Sequence, residues 1–228
     1  MNDLEYKIVR SPKRRTLTIT VERDRTIIVH APENASDKAI AHVMNSKRQW
    51  IYGKLQHEQK YQDRIHPPGK EVVNGESAPY LGRDYRIEIA ETESGEVEFS
   101  DGFKVPVSHQ NKKRAALKSW YIDRAKETIL LRVNAAAKEL GVKFKAAKIV
   151  DNRYRWGSCT VNGAVNFNWR LIKAPIFVID YVVVHELAHL LESNHTARFW
   201  NIVRAASPTM AKAKAWLKEH GQCLEEEV

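Results

Sequence analysis

Cysteine is nearly missing from this chain: Cys159 and Cys223 are its only two in 228 residues. Two thiols so far apart, with no C-x-x-C pair, exclude a disulfide framework and a finger-type thiolate metal site, and both are expected to be reduced. Long apolar runs are also lacking. The longest is broken by Asp180, so nothing approaches the roughly eighteen residues of a membrane-spanning helix. The start, MNDLEYKIVRSPKRR, carries charge but no apolar core of a secretion leader, and the expectation is a cytoplasmic protein that does not enter a membrane. Internal repeats and low-complexity tracts are absent. What remains, 43% apolar and 29% charged residues, is ordinary for a folded globular chain.

The formal charge of +9 is unevenly spread, since residues 101–155 hold fourteen Lys or Arg against five Asp or Glu. Over half of the excess, eight Lys or Arg against three Asp or Glu, sits in the long amphipathic pattern of residues 111–141, whose apolar positions include Leu117, Trp120, Tyr121, Ile129, Val133 and Leu140 and which Gly141 ends. Lys112, Lys113, Arg114 and Lys118 crowd its first turns, the end where a helix dipole favours acids. That segment, 112–118, is either a site for an anionic partner such as nucleic acid or a solvated face.

Element signals divide the chain. Residues 1–105 read as a β-rich region: RTLTITVERDRTIIVHAP alternates as a hairpin around Arg23-Asp24-Arg25, and YLGRDYRIEIA and GEVEFSDGFKVPV are short strands. One helix is expected from a Ser36 cap over about residues 36–60, broken by HPPGK. Residues 106–228 change to a long helix, the strands KFKAAKIVDN and AVNFNWRLI joined by RYRWGSCTVNG, and further helices. The fold class expected is α+β, and because the helix after these strands carries HELAH at residues 185–189, an H-E-x-x-H pattern, the order is that of a minimal zincin-like metallohydrolase core of backing helix, small sheet and H-E-x-x-H helix.

Chemistry concentrates in VVVHELAHLLESNHTARFW, residues 182–200. His185 and His189 are four apart, about 40° around a helix and one turn along it, so both can point at one atom. In H-E-x-x-H two neutral imidazoles hold Zn²⁺, and the glutamate, here Glu186, takes a proton from the water that the metal acidifies. His195 can join them only if the helix stops first. Asn194 is a candidate for a left-handed terminating residue, and Thr196 can cap a new helix at Ala197. The rival third ligand is Glu192, seven residues after His185 on the same stripe. The 185/189/195 spacing equals that of H-E-x-x-H-x-x-G-x-x-H, with Glu192 where that motif has Gly.

Around this motif, Arg153, Arg155 and Ser158 lie in RYRWGSC, which passes near the metal helix if the strands flank it. Arg155 is either a clamp on a developing oxyanion or a substrate phosphate, or a partner of Asp180 or Glu192. Trp156 and Gly157 shape the turn. Asn166 and Asn168 share one face of a strand, toward the metal or toward solvent. The strand Ala164 to Arg170 is the expected edge for an extended peptide.

RWGSC, NFNWRL and IDYVVVHELAHLLESNHTARFW together resemble the YgjP-like metallopeptidase family, grouped with the SprT and WLM zinc proteases. The likeness extends to RSPKRRTLTITVERDRTIIVHAP and PYLGRDYRIEI. It implies His185, His189 and His195 as metal ligands and Glu186 as catalytic acid/base. Substrate stays open, because some members are described as metal-dependent nucleotide pyrophosphatases, while SprT and WLM proteases act on DNA-bound proteins. The leading expectation is a metallopeptidase using zinc or another divalent metal on a peptide or protein. The alternatives are a nucleoside triphosphate pyrophosphatase and a nucleic-acid-binding adaptor with structural zinc.

Overall fold

The computed structural model describes residues 4–21, 26–56, 72–109, 112–152 and 155–225. The chain separates into two compact units, residues 1–65 and 66–228. Residue 105, where the change in element order was placed, falls inside the second unit, because Phe103 and Val105 are fully buried in its core.

In the first unit, strands β1 (Tyr6–Ser11), β2 (Thr18–Val21) and β3 (Ile27–Pro32) form a sheet of order β1-β3-β2. β2 and β3 pair antiparallel as the hairpin pattern requires, while the turn Arg23-Asp24-Arg25 lies outside the described residues. The alternate residues Ile27, Val29 and Ala31 face a core with Ile40, Met44 and Ile51. Helix α1 (Asp37–Ser46) is capped by Ser36, whose hydroxyl accepts from the Ala39 amide at 3.2 Å. The expected single helix is two: α1 ends at Lys47, and α2 (Arg48–Gln56) follows. Residues 57–60 and the HPPGK segment lie outside the described residues.

The second unit is α+β. Strands β4 (Ser77–Tyr80), β5 (Arg83–Ala90), β6 (Glu98–Phe99) and β7 (Phe103–Pro106) form a sheet of order β4-β5-β7-β6. Helix α3 (Lys113–Leu140) buries Leu117, Tyr121, Ala125, Ile129, Val133 and Ala137, one residue every four, and Gly141 closes it in the left-handed conformation. Then come β8 (Ala146–Val150), β9 (Gly157–Cys159), β10 (Ala164–Asn168), a 3-10 turn (Trp169–Lys173) and helices α4 (Ile176–Ala188), α5 (Ala197–Ala206) and α6 (Met210–Glu225). The order long helix, small sheet, helix with the H-E-x-x-H residues is the one expected from the sequence.

Helix α4 is apolar on nearly every side and is buried between α3 and α6. Arg132 of α3 pairs with Asp180, the one charge in its apolar run. Its entry is held by the β4–β5 turn, where the Leu81 and Gly82 amides donate to the Ile172 and Lys173 carbonyls at 3.0 and 2.9 Å. Gly82 has φ +82°, and a Cβ there would lie 2.5 Å from the Pro175 ring, so neither the backbone nor the space admits another residue. Among the described residues, no helix is long and apolar enough to cross a membrane.

Candidate metal centre

The register of β8, β9 and β10 alters one expectation. Sheet order is β8-β10-β9, with β10 parallel to β8 and antiparallel to β9. The strand Ala164 to Arg170, expected as the open edge, is therefore central, with both sides already paired. The open edge beside α4 belongs to β9, formed by residues read from the sequence as a connection. Ser158 pairs with Asn166, and the flanking bonds run from the Thr160 amide to Ala164 and from the Asn168 amide to Trp156, each 2.8 Å. Since antiparallel partners alternate, the amides and carbonyls of Gly157 and Cys159 point away from the sheet.

Helix α4 carries His185 and Glu186 and ends at His189. The chain then leaves through tight turns, with the Leu190, Leu191 and Glu192 amides bonded to Leu187 and Ala188 carbonyls. The helix thus stops before Asn194, which is not left-handed; among the described non-glycine residues only Leu81 has positive φ. Thr196 caps α5 as expected, its hydroxyl accepting from the Phe199 amide at 3.3 Å. This early stop swings His195 back over the helix, the outcome the spacing demanded by a different turn.

His185, His189 and His195 form a group whose ligand atoms lie within 4.8 Å of one another, and Glu192 is not part of it. The Nε2 atoms of His185 and His195 are 3.1 Å apart. Nitrogens sharing one metal at zinc–imidazole distance and tetrahedral angles stand about 3.3 Å apart, so this pair fits a shared divalent cation. His189 turns its Nδ1 to the Glu192 carbonyl at 3.2 Å, leaving Nε2 for the site. The Nδ1 of His185 is buried without a partner. Burial, then the two neighbouring imidazoles, then Lys214 push the His185 pKa down to about 4, keeping the ring neutral as a ligand must be.

Aromatic packing fixes this geometry. Phe199 is fully buried and touches all three imidazoles, with centroids 5.0, 4.5 and 4.7 Å from His185, His189 and His195. Trp200 stacks on His195 at 5.5 Å. Both anchor the returning turn.

Glu186 is 7% exposed, and its carboxyl is pushed up to about 7 by burial, against the opposing pull of Arg155. A Cβ on Gly157 would stand 2.6 Å from the Glu186 Cγ, so the glycine of RWGSC is the space this side chain occupies. The sequence shows the glycine but not which side chain uses the space. Arg155 is exposed and makes neither of the pairs considered for it: Asp180 is taken by Arg132, and Glu192 faces Arg198 at 4.0 Å. Arg153 lies outside the described residues.

The two asparagines of β10 separate. Asn168 is 2% exposed and braces the loop, donating to the Asn152 and Arg155 carbonyls at 2.6 and 3.2 Å while its Oδ1 accepts from the Arg170 amide. Asn166 donates to Ser158 at 3.3 Å. Cys159 is half-buried on the same side of β9 as Gly157 and outside the histidine group. In the basic segment, Lys118 is engaged: its ammonium pairs with Asp151 at 2.7 Å and lies over Trp169. One cation with no motif to announce it reaches the centre from α6, where the Lys214 Nζ stands 4.7 Å over the Trp200 ring.

Residues 15–220 match the family model of the YgjP-like metallopeptidase domain. Among curated proteins none matches. Two solved structures resemble part of the fold. The metallopeptidase zymogen of Pyrococcus abyssi abylysin is 20% identical over 44% of this chain and 100% of its own, with a TM-score of 0.37. That of Methanocaldococcus jannaschii jannalysin is 16% identical over 40% and 94%, with a TM-score of 0.36.

Proposed function

The chain belongs to the YgjP-like metallopeptidase family, and on that premise we propose that it is a zinc-dependent metallopeptidase in which His185, His189 and His195 hold the metal and Glu186 is the general acid/base. The observation that carries this reading is the convergence of three imidazoles, two of their Nε2 atoms 3.1 Å apart, next to a buried carboxylate. Bound there, the metal supplies Lewis acidity, polarising the scissile carbonyl and acidifying water.

The protein's own groups divide the remaining work. Glu186, held between α4 and Gly157, accepts the proton of the attacking water and returns it to the leaving amine. The open edge of β9 receives the peptide as an added strand, through the outward amides and carbonyls of Gly157 and Cys159. Arg155, close enough to act on Glu186, stabilises the developing oxyanion. A second reading, hydrolysis of a nucleoside triphosphate, is favoured by that same arginine, whose planar fork also suits phosphate.

The test gives metal-loaded protein an unfolded protein substrate and, separately, a panel of nucleoside triphosphates, with Glu186→Gln as control. The expected outcome is proteolysis that falls about a thousandfold in Glu186→Gln while metal content holds. Pyrophosphate release lost in the variant, without proteolysis by either protein, would replace this reading by the second.

A further inference from the structure

One cation from a distant part of the chain stands beside the histidine group. Lys214, in α6, is held in place by its neighbour Ala213, fully buried in the core, and by Leu217 one turn on. Its ammonium lies over the Trp200 indole, the ring that stacks on His195 and lies 5.8 Å from His185.

A lysine so placed opposes a bound dication, and no salt bridge to a described carboxylate offsets it. Its cation–π contact is with an exposed lysine, worth only about 0.5–1 kcal/mol. The arrangement has a use when the substrate brings the missing negative charge. We propose that Lys214 is a substrate-binding residue that selects acidic peptides, holding a Glu or Asp side chain next to the scissile bond. This rests on the peptidase reading for the reaction, but not for the binding. A cation at the mouth of the site also draws acidic chains in, an effect that salt weakens.

The experiment measures equilibrium binding to zinc-loaded, full-length Glu186→Gln. The probes are two labelled ten-residue peptides, identical except for three Glu or three Gln around a central Ala-Leu. At low salt the Glu peptide is expected to bind about tenfold more tightly, and at half-molar salt about twofold. Adding Lys214→Gln should reduce the low-salt gap to about threefold or less with the Gln peptide unaffected, while Lys214→Arg should keep it. Equal binding of both peptides, or a gap unchanged by Lys214→Gln, would overturn the proposal. Turnover by the protein with Glu186 intact separates the two claims. A binding gap with cleavage of neither peptide would sink the peptidase reading and leave Lys214's role standing. Cleavage of both at equal rates, with no binding gap, would do the reverse.

Discussion

Two walls of one site are built from opposite kinds of sequence. Helix α4, residues 176–188, is apolar on almost every face, and its pattern announces itself. The facing wall, residues 155–159, is short, half-exposed and without hydrophobic periodicity, a three-residue strand whose main contribution is a space and an edge. The first wall carries two of the three imidazoles and the carboxylate as side chains at helical spacing. The second supplies main-chain atoms, a missing Cβ and a guanidinium. Side chains at fixed local spacing advertise their chemistry, whereas a glycine that makes room for a distant glutamate looks like any turn glycine.

Substitutions that strike one wall and spare the other test this contrast. The largest effect is expected on the helical side. His195→Ala should leave protein that no longer keeps metal through dialysis, while Glu192→Ala keeps it, because Glu192 reaches His189 only through its carbonyl. Elemental analysis of the two proteins decides, and the opposite pattern would make Glu192 the ligand. On the facing wall, Gly157→Ala forces a methyl group into the Glu186 side chain. The expected result is a loss of turnover of about a hundredfold with metal content intact; an active Gly157→Ala protein would mean the glutamate moves freely.

The smallest effect tests the edge itself. Cys159→Pro removes one outward amide without touching the pairing to β10, whereas Ser158→Pro removes a bond within the sheet. Cys159→Pro should raise KM for an extended peptide about tenfold while thermal stability and metal content hold. Ser158→Pro should lower the unfolding temperature. Unchanged peptide kinetics in Cys159→Pro would remove β9 as the docking strand.

Much of the architecture was legible in the chain before folding was considered. The α3 pattern and its Gly141 stop, the Thr196 cap and the hairpin of β2 and β3 all rest on local rules of period and capping, and each is present. Local rules failed where two elements compete for one role. Asn194 was the natural terminator by its own chemistry, but the chain turns out of α4 directly after His189. One helix was read over residues 36–60 because the apolar period runs through Lys47, where the backbone breaks it.

By itself, the sequence determined that His185 and His189 can point at one atom, because four-residue spacing on a helix is a property of the backbone and holds wherever the helix is placed. Tertiary structure alone decided which strand is the edge, which side chain fills the space above Gly157, and which cation approaches the histidines. Sheet order, strand exposure and the reach of α6 to Trp200 depend on how distant apolar faces are buried together. No spacing within one segment records that burial, so β10 reads as an edge although it is central, and Lys214, nineteen residues after His195, reads as one more surface charge.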